Sequence, residues 1–180
     1  MTSERVLVII DGSNFFHKLI DLKFPQKGLM NFRYDLFIKD LVADKKLTEV
    51  RYHVGAVRTE VGNTKSFRLF KEQRKLTGNL NKQNIKVVFG YLLKNDGVYH
   101  EKGVDVNMSV DMLVGAYEET YDTLVLISSD TDLIPAIKKV KDLGKKVEYF
   151  GFSHKPSFAL MRFASESKLW GVKELEKYLS

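Results

Sequence analysis

Five short, mostly apolar runs rich in valine and isoleucine constrain this chain more than any other feature. They are Arg5–Ile10, Glu49–Val57, Ile85–Phe89, Thr123–Ile127 and Lys146–Phe150. Apolar runs of this length read as strands buried on both faces, as in a parallel sheet. Helical patterns lie between them. Phe32–Leu41 carries Phe32, Leu36, Phe37 and Leu41 at helical spacing, and Thr64–Leu76 is followed by Gly78 as a stop. Val106–Glu119 gathers Val106, Val110, Leu113 and Val114 on one side, and Leu133–Leu143 runs into Gly144, where a helix end favours glycine. Strands alternating with helices of this length imply βα units and an α/β fold.

Two segments stand outside that rhythm. Tyr91–Glu101 has Asn95-Asp96-Gly97 between two apolar-bearing arms, the signature of a hairpin turn, and reads as a small β-arm over about 91–101. The tail, about 155–180, reads as short helical pieces packed down by Trp170. A chain of 180 residues with no repeat or linker is expected to form a single domain, 1–180. No apolar run is long enough to cross a bilayer, the N-terminus shows no small-residue cleavage site so that no signal peptide is expected, and there are no cysteines. Disulfides, thiolate nucleophiles and thiolate metal sites are thereby excluded, and a cytoplasmic location is expected. The net charge of +6 favours polyanionic partners.

The minority acids sit at informative places. The first strand ends in Asp11-Gly12-Ser13-Asn14 and the fourth in Ser128-Ser129-Asp130-Thr131-Asp132, while Asp105 stands at the start of a helix. In an open parallel sheet, ligands bind beyond the carboxyl ends of the strands, where strand order reverses. If the first and fourth runs are neighbours there, their trailing acids converge. Clustered carboxylates raise one another's pKa unless a cation sits among them. Mg²⁺ or Mn²⁺ suits such a set, and can activate water and stabilise charge at phosphorus. Each acid alone reads equally well as a helix N-cap or a first-turn residue, so only their joint placement points to chemistry.

These motifs, with Lys102-Gly103-Val104-Asp105 and Asp111-Met112-Leu113, resemble the NYN domain, and within it the LabA-like subgroup of the PIN-like nuclease superfamily. The resemblance spans about Val6 to Gly151. It implies a PIN-like three-layer sandwich, a central mostly parallel sheet with helices on both faces, an acidic Mg²⁺ or Mn²⁺ centre, and RNA as substrate. By position it implies that Asp11, Asp105, Asp130 and Asp132 are the catalytic and metal-holding acids, with Asn14 the polar companion of Asp11. Asp111 also matches a recurrent position, but lies about one and two-thirds turns beyond Asp105, so the two side chains need not share a face, and it ranks as secondary. The family commonly has glycine where Ser129 stands and phenylalanine where Leu133 stands. A positive φ at 129 would strain serine.

Arg58 and the helix carrying Arg68, Lys71 and Lys75 offer a basic face that could guide an RNA backbone toward the acids, or simply a solvated face. Lys102, Ser128 and Ser129 are further candidates for phosphate or water contact, and Tyr91 and Tyr99 for base stacking, although packing of the hairpin suits them better. His17, His53, His100 and His154 show no metal-ligand spacing, and no glycine-rich dinucleotide motif or nucleophile elbow is present. The expected function is a metal-dependent endoribonuclease. The alternative is a non-catalytic RNA-binding or regulatory module that keeps the fold. A haloacid-dehalogenase-like phosphatase would need an aspartate where Ser13 stands. RNA is the expected partner, no membrane is, and a homodimer is left open.

Overall fold

Alternate residues of the first strand face opposite cores, and this decides the layering. The computed structural model describes residues 3–24, 31–95 and 98–179. In β1 (Arg5–Asp11), Val6, Val8 and Ile10 enter one core, while Leu7 and Ile9 enter the other. A strand apolar on both faces must lie between two layers of helices. The first core is closed by α1 (Gly12–Asp21) through Phe15 and Leu19, and by α2 (Tyr34–Val42) through Phe37, Ile38 and Leu41. The second is closed by α4 (Val104–Tyr117) through Met108, Met112 and Ala116, and by α5 (Ile134–Asp142) through Ile137 and Val140. This is the three-layer α/β sandwich expected.

The central sheet has six strands, all paired parallel. Besides β1 they are β2 (Lys46–Val54), β3 (Lys86–Phe89), β6 (Thr123–Ile127), β7 (Lys146–Phe152) and β8 (Glu166–Trp170), in the order β3-β2-β1-β6-β7-β8. The chain winds outward from β1 in one direction, then returns to place β6 on its other side. Strand order therefore reverses between β1 and β6, the neighbouring relationship that convergence of the acids requires. Val6–Ile10 pairs with Thr123–Ile127 without a break, so both strands end at the same level.

The hairpin is present: β4 (Tyr91–Asn95) and β5 (Val98–Lys102) pair antiparallel, with Asn95 opposite Val98. Asp96 and Gly97 of the expected turn lie outside the described residues, as does the surrounding of Tyr99.

Three expectations are corrected. Gly78 does not stop its helix: α3 (Thr64–Lys82) runs through it and is capped at Gln83. Gly78 sits exposed in helical backbone, where its cost relative to alanine is too small to end nineteen residues of helix. The tail is not helical throughout. Besides α6 (Phe158–Phe163) and α7 (Val172–Leu175) it contains β8, which pairs with β7. That strand has no apolar run because it lies at the sheet edge, and Trp170 at its end packs on Phe37 and Phe150 with ring centroids 5.6 and 5.1 Å apart. Lastly, the apolar side of α4 read from periodicity is not its buried side. Val106, Val110 and Val114 are exposed, whereas Val104, Met108, Met112 and Ala116 face the sheet.

Candidate active site

Asp11 ends β1 and begins α1 at once. Its Oδ1 accepts the Asn14 backbone N–H at 3.0 Å, an N-cap on α1, and its Oδ2 accepts the Ser128 hydroxyl at 3.0 Å. Gly12 is required for this corner. A Cβ there would overlap the Tyr52 ring and meet the His53 carbonyl at 2.9 Å, so only glycine lets α1 start this close to β2.

Ser128 follows β6 and joins two acids. It donates to Asp11 and accepts the Asp130 backbone N–H at 3.0 Å, while Asp130 Oδ1 accepts the Asp132 N–H at 2.9 Å and caps the 3₁₀ turn Thr131–Leu133. The capping roles weighed for Asp11 and Asp130 are thus real, and each acid keeps an oxygen outside its cap. Ser129 does not take a positive φ, so the serine carries no strain there, and Leu133 is fully buried as an anchor.

Asp105 comes from the first turn of α4. Gly103, at φ +82°, turns the chain from β5 into that helix, and a Cβ there would strike the Tyr91 ring at 2.5 Å. A cleft of about 280 Å³ opens between the two helix starts, lined by Asp11, Ser13, Asn14, His17, Lys102, Gly103, Val104 and Asp105. Asp130 and Asp132 do not line it, but their charges reach it. The carboxyl of Asp105 is raised above the ordinary range by burial first, then by the negative charges of Asp130, Asp11 and Asp132. Asp11 is raised mainly by burial, against the opposing Asn14 N–H and Ser128 hydroxyl, with a further upward push from Asp130. Four acids from three elements therefore share one field, and all the charges acting on Asp105 are negative.

Such a set is hard-oxygen chemistry that fits a divalent cation better than a salt bridge. The shell is not ready-made: among the described residues, no three His, Asp or Glu side chains are gathered closely enough to hold a metal ion.

The other candidates separate by place. Asn14 and Lys102 line the cleft. Arg58, Arg68 and Lys71 do not. They are exposed, and Arg68 stands 3.9 Å from Glu72 one turn on. Asp111 faces β2 instead, where Arg51 meets Oδ1 at 2.7 Å and His53 Nε2 lies 3.2 Å from Oδ2. Burial raises its pKa, but the two partners outweigh this and leave it lowered.

Two residues passed over in the sequence belong here. His17 lines the cleft, and its signal was helical spacing: it lies one turn beyond Ser13 and Asn14 on α1. His53 is buried directly across the β1–β2 ladder from Asp11, and neither ring nitrogen makes a well-aligned hydrogen bond. Only the strand register could have shown that.

The cleft continues. A neighbouring depression of about 320 Å³ shares Ser13 and His17 with it and runs beneath α3, past Leu69 and Leu76. A third, of about 500 Å³, shares Val57 and Gln73 with the second and reaches Phe70, Arg74 and Phe89.

Comparison with known proteins agrees with this arrangement. The family model of the NYN domain matches residues 5–167. The chain belongs to the NYN domain family. NYN domains are generally nucleases of the PIN-like kind, and typically use divalent metals. An uncharacterised protein of Methanocaldococcus jannaschii is 39% identical over 61 residues, which is 34% of this NYN chain and 25% of that protein's length. A crystal structure of a protein of unknown function from Vibrio parahaemolyticus superimposes with a TM-score of 0.69 at 20% identity, covering 93% of both chains. At that identity the likeness establishes the fold alone.

Proposed function

We propose that this NYN domain is a metal-dependent endoribonuclease of the LabA-like kind, built as one PIN-like unit, and that Asp11, Asp105, Asp130 and Asp132 hold Mg²⁺ or Mn²⁺. The observation carrying this reading is the convergence of acidic charge on the Asp11–Asp105 cleft: beyond burial, Asp130, Asp11 and Asp132 all raise Asp105, and Asp130 raises Asp11. A divalent cation bound there supplies charge neutralisation and an activated water for phosphodiester hydrolysis. The protein's own groups have distinct tasks. Ser128 fixes the rotamer of Asp11 and the backbone of Asp130 through one hydroxyl. Asn14 and Lys102, both in the cleft wall, orient water and draw in the phosphate. Ser129 offers a second hydroxyl to the phosphate, and Asp111, held by Arg51 and His53, supports the site from behind.

RNA is favoured as substrate by the net charge of +6 and by the chain of depressions leading from the acids beneath α3. Arg58, Arg68 and Lys71 attract the backbone as it approaches. Reversing charge at Arg68 and Lys71 weakens RNA binding and flattens its salt dependence, by a slope of about 0.7 for each phosphate no longer neutralised. Binding that keeps the wild-type salt slope rejects that role.

The decisive assay is cleavage of single-stranded and structured RNA with Mn²⁺ or Mg²⁺. Asp11→Asn and Asp130→Asn should each reduce the rate roughly 100-fold or more, since even residues that only orient metal ligands cost 10- to 100-fold. Equal cleavage by wild type and variants would trace the activity to a contaminant. A second reading, a non-catalytic RNA-binding or regulatory module, is favoured by the lack of a preformed metal shell among the described residues. Thermal stabilisation by Mn²⁺ without turnover on a broad RNA panel would establish it instead.

A further inference from the structure

We propose that the outer face of α4 is the seam of a homodimer, in which two copies of the helix pack antiparallel. α4 is apolar nearly all round. Its sheet side buries Val104, Met108, Met112 and Ala116. Its opposite side carries Val106, Val110, Val114 and Tyr117, which are 64%, 49%, 42% and 60% exposed, with Leu113 half-buried between them. A helix of this kind belongs inside a protein, and a contiguous apolar stripe marks an interaction face.

The pattern selects a second copy as its occupant. Val106, Val110, Leu113 and Tyr117 are spaced by four, three and four residues, the d-a-d-a register of a coiled-coil seam. That spacing is symmetric about the level between Asp111 and Met112. A two-fold axis there sets Val106 against the partner subunit's Tyr117 and Val110 against the partner subunit's Leu113, each contact made twice. The antiparallel arrangement also opposes the two helix dipoles. Charge points the same way. The molecule carries +6, so two copies approach most easily where cations are few: α4 contains no lysine or arginine, and Lys139 of α5 lies 5.9 Å from the Tyr117 ring centroid at one end of the stripe. The positions beside the seam, Asn107, Ser109 and Val114, are uncharged. A nucleic-acid backbone would need a row of cations along this face, and α4 supplies none. Asp105 lies about 100° around the helix from Val106, so the seam leaves the cleft open.

This inference does not depend on the nuclease reading, and its test involves no RNA. Sedimentation velocity of the purified protein, from about 1 to about 100 μM, should show a dimer forming with concentration. Val110→Asp should weaken association by at least about 100-fold, because it buries an unpaired carboxylate in the seam, and the milder Val110→Ser should weaken it less. Both should keep wild-type circular dichroism and melting, since Val110 is exposed in the monomer. The chain has no cysteine, so orientation can be read directly. A mixture of Val110→Cys and Leu113→Cys proteins should cross-link between chains faster than either alone. A monomer at every concentration overturns the proposal, as does a dimer indifferent to Val110→Asp. Preferential cross-linking of Val110→Cys to itself overturns the antiparallel pairing.

Discussion

Asp11 holds opposing demands in one carboxyl group. It caps α1 and accepts from Ser128, which favour its ionised form, yet it is buried beside Asp130, which disfavours it, and the balance leaves its pKa raised. A carboxyl whose folded pKa lies above its unfolded value contributes stability through its proton. That contribution is complete below the unfolded value and is lost as pH rises through the folded one. Without divalent metal, Asp11→Asn should therefore melt at or above the wild-type temperature at neutral pH, since asparagine also caps helices. Asp11→Ala should lose about 1 kcal/mol with the cap. Melting in EDTA checks both, and an asparagine variant several degrees below wild type would contradict the argument. Asp122 illustrates the opposite sign. The Arg5 guanidinium, helped by the Arg5 backbone N–H, lowers its pKa to about 2. The pair is partly exposed, so its effect is modest. Relative to Asp122→Asn, the wild type should gain stability above the ordinary carboxylate range and lose that gain as pH falls toward 2. Urea titrations across pH measure this, and a pH-independent gap would show that the ion pair is not the cause.

Among the elements, α3 is held most lightly: of its nineteen residues only Leu80 is fully buried. Gly78 lies in its helical interior with nothing within 4 Å of a would-be Cβ. Gly78→Ala should accordingly stabilise the protein by about 0.5–1 kcal/mol, and a loss of stability in urea denaturation would mean the open backbone there is needed. The helices also show what periodicity can and cannot reveal. In α4 the recurrence of Val106, Val110, Leu113 and Val114 identified a helix correctly and its inward side wrongly, because Met108, Met112 and Ala116 form an equally apolar stripe opposite. Hydrophobic pattern chooses a face only when the other face is polar. In β8, Glu-Ser-Lys-Leu-Trp offered no apolar run to read. Its place is fixed by pairing with β7 and by Trp170, which are tertiary facts.

For the molecule as a whole, the parallel sheet was legible because five apolar runs announced themselves, whereas the reversal between the first and fourth, on which convergence of the acids depended, is fixed by the strand order. What the acids touch was less legible. The Ser128 bridge, the His53 position and the turning of Asp111 toward Arg51 depend on strand register and helix placement, which no local spacing encodes. The tail is part of the core: Leu175 and Tyr178 are buried in the first core, and Trp170 packs against it and stacks on Tyr178. Losing three such side chains, at about 3 kcal/mol or more each, is comparable with the whole stability of a domain, about 5–15 kcal/mol. Removal of residues 165–180 should therefore abolish cooperative melting, and a sharp transition in the truncated protein would show that the tail is an appendage.

Ser128 reaches Asp11 across 117 residues of chain. During synthesis the first strand gains β2 early but must wait for most of the polypeptide before β6 arrives on its other side, and contacts so distant in sequence form late. A nascent chain that has delivered only its first hundred residues presents Asp11 alone, with Asp105, Asp130 and Asp132 still to be made. The acidic corner is thus complete only once β6 and the turn after it have been made, and a fragment of that length carries one of its four charges.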